Sequence, residues 1–508
     1  MPKNQQTKRH YKIGTRGSLL ALTQCNQVRV ELEKLTGDSF ELEVIKTQGD
    51  LITNAPLWQL DGKDFFTKEL DESLLSGKVD LVVHSYKDLG SIRPDGISLA
   101  AITKRTYAND ILLIKKSTIP TIKNKKEFIV GTSSPRRMVN LEQQLADFLP
   151  EGKDVLVHSK VLRGNVNTRI EKLQNDEYDA IVLALPGIER LAHTESSRLE
   201  LERLLTGMTF MILPESVFPS SAAQGALGIE CASNRSDNGE LFGKLKLIED
   251  LETVEEVSRE RRAFNEYGGG CHLAVGINVK KFGAFYIHNH RGMLDEKVVR
   301  FSLLEGRDLP QFFVRPTYFS GLANDDQLVK KRALNVDLSS YKHIYVTSKH
   351  CIETLHHAPD SLWAAGTKTM KELAAKGLWV NGSADSLGDD EIKKMRAGKA
   401  IALMTDTQAE LCVLSNEQAS TTLGKIIPCY TREIVAQTEK SYDEKINMTD
   451  VFYWTSFFQY QAFLTKYPQI INRIHVTGLG KTYTQFKEKN INVLPMTSME
   501  EFKNWIKL

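Results

Sequence analysis

Asp80-Leu81-Val82-Val83-His84-Ser85-Tyr86-Lys87-Asp88 begins as a short apolar run rich in β-branched residues and ends in a lysine beside a carboxylate. It reads as a buried strand whose carboxyl end opens into a polar loop. The same rhythm returns at EFIVGTSS (127–134), DVLVHS (154–159) and DAIVLALPG (179–187), then at HIYVTS (343–348), KAIALMTD (399–406), DVFYWTS (450–456) and RIHVTGLG (473–480). Each run is followed by a turn and a helix-period segment, which predicts an α/β protein of βαβ units around mainly parallel sheets. In such sheets ligands sit beyond the carboxyl ends of the strands, so the polar clusters there are candidate sites.

The rhythm breaks twice. Around 278–310, GAFYIHNH and EKVVRFSLL read as hairpin strands closing a small α+β domain, and RPTYFSGLANDDQLVKKR (315–332) reads as a polar connection to a second α/β section starting near Tyr341. A length of 508 residues with 41% hydrophobic content requires more than one core. With Lys+Arg 66 against Asp+Glu 64 and net charge +2, a nucleic-acid-coating field is excluded, and an anion site must come from local clustering. The polar start MPKNQQTKRH and the lack of an 18-residue apolar run predict a soluble chain with no membrane span. Six cysteines without CxxC or CxxH spacing argue against a disulfide framework or a zinc site and point to a reducing cytoplasm; no metal is expected.

Cations gather at the strand ends. SSPRR has hydroxyls, then Pro135 at a first helical position, then Arg136 and Arg137; a helix start of this kind suits anions, although capping with solvated arginines is the plainer reading. Arg163 and Arg169 in VLRGNVNTR, Arg16 and Ser18 in GTRGS, and Lys63 and Lys87 extend the cluster, which implies a polycarboxylate ligand. Cys271 follows three glycines. A lone cysteine is usually a small buried hydrophobe, but a glycine hinge suits a thiol that carries a swinging attachment.

GTRGSLLAL, KTQGD, GKDFFTKEL, VDLVVHSYKD, GTSSPRR, LRGNVNTR, YDAIVLALPGIERL, AAQGALGIEC and ERRAFNEYGGGC, in that order over about 11–276, resemble the signature segments of porphobilinogen deaminases (hydroxymethylbilane synthases). The resemblance implies two doubly wound, periplasmic-binding-protein-like lobes (1–108 with 209–232, and 109–208) and an α+β cofactor-attachment domain (233–310). It further implies a dipyrromethane thioether-linked to Cys271 and contacted by Lys87, Ser133, Arg136, Arg137 and Arg163, with Asp88 catalytic and Arg16, Ser18, Lys63 and Arg169 binding substrate. The chain departs from the family pattern at Leu89-Gly90, at Asp61-Gly62-Lys63-Asp64, in PSSAAQG and at Ala274, none of which removes a proposed catalytic group.

IYVTSKHCIETL, WAAGTKTMKELAAKGL, DVFYWTSFFQYQAFL and IHVTGLGKTYTQFKEKNINV are similar in pattern to uroporphyrinogen-III synthases. That similarity implies a bilobal α/β region over 311–508, with Tyr430 of CYTRE assisting loss of a hydroxyl and Thr347, Ser348, Thr369, Thr455, Ser456 and Thr482 lining a cleft beside the Gly478–Gly480 turn. Each of these is individually a common helix cap or turn. The family's opening strand-helix-strand is reduced to FFVRPTYF, so an abbreviated first lobe is expected. Together the two resemblances imply a bifunctional tetrapyrrole-building enzyme, a transferase and a lyase acting on small molecules as a cytoplasmic monomer. Two other readings stay open: an anion-binding bilobal sensor for the first half, and a non-catalytic docking domain for the second.

Overall fold

The computed structural model of the chain describes residues 8–47, 67–270 and 272–507. Lys63 and Cys271 therefore lie outside the described residues. The strand runs pair into two five-stranded sheets in the N-terminal half. The first has the order Ser39–Val44, His10–Thr15, Leu81–Ser85, Leu227–Ala232, Ile97–Ile102, with only Leu227–Ala232 antiparallel to its neighbours. The second has the order Leu156–Lys160, Glu127–Gly131, Ala180–Ala184, Asp110–Lys115, Met208–Ile212. The central strands are buried and largely apolar: Leu81, Val82, Ile111, Leu112 and Leu113 are fully buried, and His84, Asp110 and Glu230 are buried polar exceptions. The helix Leu19–Thr36 starts where Ser18 Oγ accepts from Ala21 N (3.3 Å) and stops at Gly37, whose φ of 75° suits a residue without a Cβ.

Because Met208–Ile212 pairs with Asp110–Lys115, the chain returns to the first lobe after residue 212, not at 209. The helix Leu251–Glu266 and the antiparallel strands Ala274–Phe282, Phe285–Leu294 and Lys297–Glu305 form the small third domain.

Beyond it lie two further lobes. The proximal lobe has a six-stranded sheet ordered Val329–Ala333, Gly424–Ile434, Leu411–Asn416, His343–Val346, Ser361–Ala364, Gly382–Ser383, and the distal lobe a parallel sheet ordered Tyr318–Phe319, Val451–Trp454, Ile474–Gly478, Leu494–Met496. The polar connection is thus structured, since it supplies a strand to each sheet. FFVRPTYF contributes to the distal lobe, and the proximal lobe is not abbreviated. KAIALMTD is no strand: Lys399–Ala402 is a short helix whose leading amides, Lys399 N and Ala400 N, donate to the Glu189 carboxylate at 2.8 and 2.9 Å. A carboxylate from a neighbouring lobe caps it and fixes its conformation.

The proximal lobe fuses with the second N-terminal lobe. Ile212 N donates to Asn381 O (2.7 Å), while Asn381 Nδ2 (3.0 Å) and Trp379 Nε1 (2.9 Å) donate to Phe210 O, so the exposed edge of Met208–Ile212 is covered. Apolar packing runs through the junction, with Phe210 and Trp363 ring centroids 6.0 Å apart and Leu112, Met211 and Phe218 in one core with Ile344, Leu362 and Met370. The distal lobe touches the third domain through Arg300–Glu500 and the Tyr483 ring against Phe282 and Phe285. Among the described residues no helix is long and apolar enough to cross a membrane.

Candidate active sites

Strand Leu81–Ser85 ends in a single 3-10 turn, Tyr86–Asp88, pinned from two sides. Tyr86 N donates to Ala226 O (3.0 Å), and Arg261 of the third domain donates to Tyr86 O (3.3 Å) and Leu89 O (3.0 Å). Asp88 is left exposed at the tip of a fixed turn. Beneath it His84 is buried 3.4 Å from Glu230; burial first, then Arg93 and Arg16, push its pKa down to about 3, so the ring is neutral. Asp71, His84 and Glu230 converge as metal ligands would, but the Arg93 guanidinium fills the space, 2.5 Å from Asp71 and 2.7 Å from Glu230.

The SSPRR segment begins the helix Pro135–Gln144, with Pro135 in its first turn. Ser133 Oγ is bonded to Leu162 O. Arg136 and Arg137 are buried rather than solvated, and both grip Asp110: Arg136 Nη1 at 2.8 Å, Arg137 Nε at 3.0 Å and Arg137 Nη2 at 2.7 Å. Burial alone would raise the Asp110 pKa; the two guanidiniums outweigh it and hold the carboxyl well below the ordinary range. Gln224 Nε2 also donates to Asp110 (2.9 Å), and its Oε1 accepts from Lys87 Nζ (3.2 Å). One buried network therefore links Lys87, on the first lobe, to both arginines of the second. Arg136 Nε remains without a partner in it.

Arg169 Nε donates to Gly164 O (2.8 Å), and burial, then Arg137 and Arg163 nearby, lower its pKa to about 10. Arg163 is lowered by burial. The arrangement brings together Lys87, Arg136, Arg137, Arg163 and Arg169, with Asp88 beside Lys87, while Ser18 serves its helix as a cap. Asp110 and Gln224 escaped the sequence reading. Asp110 opens a strand run, and Gln224 lies inside the quoted AAQG segment, but only the fold joins them.

The glycine loop lies between the helix Leu251–Glu266 and the strand Ala274–Phe282. Gly268, Gly269 and Gly270 have φ of 93°, 62° and 91°, three consecutive left-handed positions that residues with a Cβ rarely adopt. Further on, a Cβ on Gly276 would stand 2.3 Å from Pro219 O and 3.1 Å from Arg136 Cδ, so the strand that leaves this loop runs against the arginine pair.

The C-terminal lobes enclose a second site, a cavity of about 740 Å³ lined by Tyr430, Thr347 and Ser348 from one lobe and Thr455, Ser456 and Thr482 from the other. Several hydroxyls also have structural partners: Thr347 Oγ1 donates to Leu414 O (2.8 Å), and Ser348 and Ser456 cap the helical segments that follow them. Thr369 is buried in the helix Thr367–Ala375 and does not line the cavity. At Gly480 (φ 84°) a Cβ would meet Ser386 O at 2.4 Å, so the turn lets the lobes approach closely. Burial raises the Tyr430 pKa, against hydrogen bonds with Ser348 and Asn416. Lys331, Lys349, Lys368, Arg432 and Lys481 line the cavity, and Asp389 is the one carboxylate among its described residues.

A family model described as porphobilinogen deaminase, dipyromethane cofactor binding domain, matches residues 11–240. The porphobilinogen deaminase of Streptococcus sanguinis is 36% identical over 276 residues, covering 54% of this chain and 83% of its own. That of Lachnospira eligens is 39% identical over 276 residues, covering 53% of this chain and 84% of its own. Among solved structures, a probable amino-acid ABC transporter extracellular-binding protein from Bacillus subtilis aligns over 51% of this chain and 94% of its own, at 13% identity and a TM-score of 0.26.

Proposed function

This chain belongs to the porphobilinogen deaminase family, and from that premise we propose that it builds hydroxymethylbilane for haem biosynthesis in its N-terminal half and closes it to uroporphyrinogen III in its C-terminal half. The family's dipyrromethane cofactor binding domain is part of the chain. The residues present fit such a group. Its two rings each carry an acetate and a propionate, and Lys87, Arg136, Arg137, Arg163 and Arg169 offer matching charge, with Arg136 Nε an unused buried donor. Three left-handed glycines immediately precede Cys271, the thiol we assign as its tether. When bound, the dipyrromethane supplies a free pyrrole α-carbon as the acceptor for incoming units.

Asp88 is the assigned catalytic carboxylate. At the tip of a pinned turn it can face a pyrrole N–H, stabilise the cation left when porphobilinogen loses ammonia, and take and return protons. Arg16, Arg169 and Lys63 are assigned to substrate carboxylates, with Ser18 and Ser133 positioned at the same strand ends; bidentate guanidiniums suit the carboxylates added with every ring. On this reading the lobes exchange near 108 and again after 212, residues 233–310 form the attachment domain and 311–508 carry the second activity.

One observation carries the second activity: Tyr430 and five of the six hydroxyl residues named from sequence line one inter-lobe cavity rich in cations. There Tyr430 assists departure of the hydroxyl of hydroxymethylbilane while the walls hold the chain folded for ring inversion, largely a matter of positioning. The joined sheets favour one alternative, a C-terminal half that only scaffolds the deaminase. Full-length protein given porphobilinogen decides between them: type III uroporphyrin after oxidation is expected, whereas type I with active ammonia release would leave the scaffold reading.

A further inference from the structure

The antiparallel pairing of Val329–Ala333 with Gly424–Ile434 sets Lys331 directly opposite Arg432. Like charges facing each other across two strands are destabilising unless something anionic joins them. Asp326 acts on Lys331 and Glu417 on Arg432 only from beyond ion-pair distance, and both cations line the C-terminal cavity. The Arg432 guanidinium lies 4.2 Å from the ring centroid of Phe458, which belongs to the opposite lobe, and donates from Nη2 to Gln418 Oε1 at 3.0 Å. Its Nε is buried with no partner. Lys331 Nζ donates to His350 Nε2 (3.1 Å) and sits 5.9 Å from the centre of the Tyr430 ring. His350 can accept because its pKa is pushed to about 4, by burial first and then by Lys331 and Lys349, leaving it neutral. A pair of cations, held in place by a stacked ring and a neutral imidazole and one of them keeping a buried donor unused, is built to receive a carboxylate.

We propose that Lys331 and Arg432 form a carboxylate anchor that holds one acetate or propionate of the linear tetrapyrrole beside Tyr430. The anchor fixes which ring is presented for inversion, and through Phe458 it ties substrate binding to the approach of the two lobes. It rests on the reading of the C-terminal half as a synthase, and the test separates the two.

Full-length wild type, Lys331→Met, Arg432→Gln and Arg432→Lys are titrated with uroporphyrin III and with its octamethyl ester, following tryptophan fluorescence. The same proteins are then given porphobilinogen and the product isomers are counted. Ammonia release, which the N-terminal half carries out, serves as the folding control. Loss of one charge-assisted hydrogen bond is expected to weaken octa-acid binding about 10- to 100-fold in Lys331→Met and Arg432→Gln and less in Arg432→Lys. The ester should bind poorly to all four proteins, and the type III fraction should fall in step. Wild type giving only type I, with octa-acid binding still lost in the variants, would sink the synthase reading and keep the anchor. Octa-acid affinity unchanged in both Lys331→Met and Arg432→Gln overturns the anchor, whatever the isomer.

Discussion

Asp110→Asn is the most informative single change in the N-terminal half. Asp110 is fully buried and accepts from Arg136 at 2.8 Å, from Arg137 at 2.7 and 3.0 Å and from Gln224 at 2.9 Å. An amide keeps the shape but turns an N–H₂ towards a guanidinium and leaves two buried cations with no counter-charge. Removing one partner of such a pair costs about 3–5 kcal/mol. The second N-terminal lobe shares its core with the proximal lobe, so the unit that melts is comparable to a 150–250-residue domain, in which about 1 kcal/mol moves the midpoint by about 2–4 °C. A fall of about 6–20 °C is expected at pH 7 by scanning calorimetry. The guanidiniums depress the folded-state pKa of Asp110 below its unfolded value of about 3.9, so its contribution is complete above that value and is lost as pH falls through the folded pKa. The gap between wild type and variant should accordingly be constant from pH 7 to pH 5 and narrow below about 4. Asp110→Asn with Arg137→Gln should recover part of the loss. A variant melting within about 1 °C of wild type at pH 7 would mean that the arginines are compensated by something other than Asp110, and the network would have no energetic role.

Four further outcomes follow from the same geometry. Intact-mass measurement should show the wild type heavier than its sequence by a dipyrromethane, with the surplus absent in Cys271→Ser; an unmodified yet fully active wild type would remove the tether. Asp88→Asn should fold normally, since the side chain is exposed at a turn held by backbone bonds, while ammonia release drops by about 10²-fold or more through lost charge stabilisation. Tyr430→Phe should shift product towards type I at an unchanged rate of ammonia release, and an unaltered isomer ratio would move the hydroxyl-assisting role elsewhere. Truncation after residue 310 should give an aggregating fragment, because it uncovers the edge of Met208–Ile212 and the apolar Phe210, Met211 and Phe218; a monodisperse fragment with full deaminase activity would contradict this.

What the sequence disclosed depended on how local each signal was. The runs at 81–85, 127–131 and 180–184 declared themselves as buried strands, and the clusters beyond them fall where strands end. KAIALMTD misled because a short apolar run has no periodicity that separates strand from helix; Glu189, some 210 residues earlier, decides the matter. Asp110 was invisible as a site residue for a related reason, since nothing near it in sequence announces two arginines about 26 residues on. The Lys331–Arg432 pair needs a strand register set across the whole proximal lobe. The hydroxyls of the C-terminal cavity were legible because four of them lie within two residues of a strand end and Thr482 lies in the first turn after Gly480, whereas Thr369 shared the residue type but is buried in its helix.

The junction at Asn381 also decides how the two halves are coupled. A flexible linker would let the two halves tumble separately, but here the second N-terminal lobe, the proximal lobe and, through Lys280–Glu391 at 2.5 Å, the third domain are clamped into one base. The first lobe is joined to that base by two crossing strands of chain, near 103–109 and 213–226, by the pinned turn at Tyr86–Asp88, and by Leu20 of the helix Leu19–Thr36, which packs against the core of the second lobe. The turn that carries Lys87 and Asp88 is tied through Arg261 to that same base, and Lys87 is tied through Gln224 to Asp110 and its two arginines. Any pyrrole chain built there meets a carboxylate and a cationic cluster whose spacing is set by one body, not by the reach of a linker.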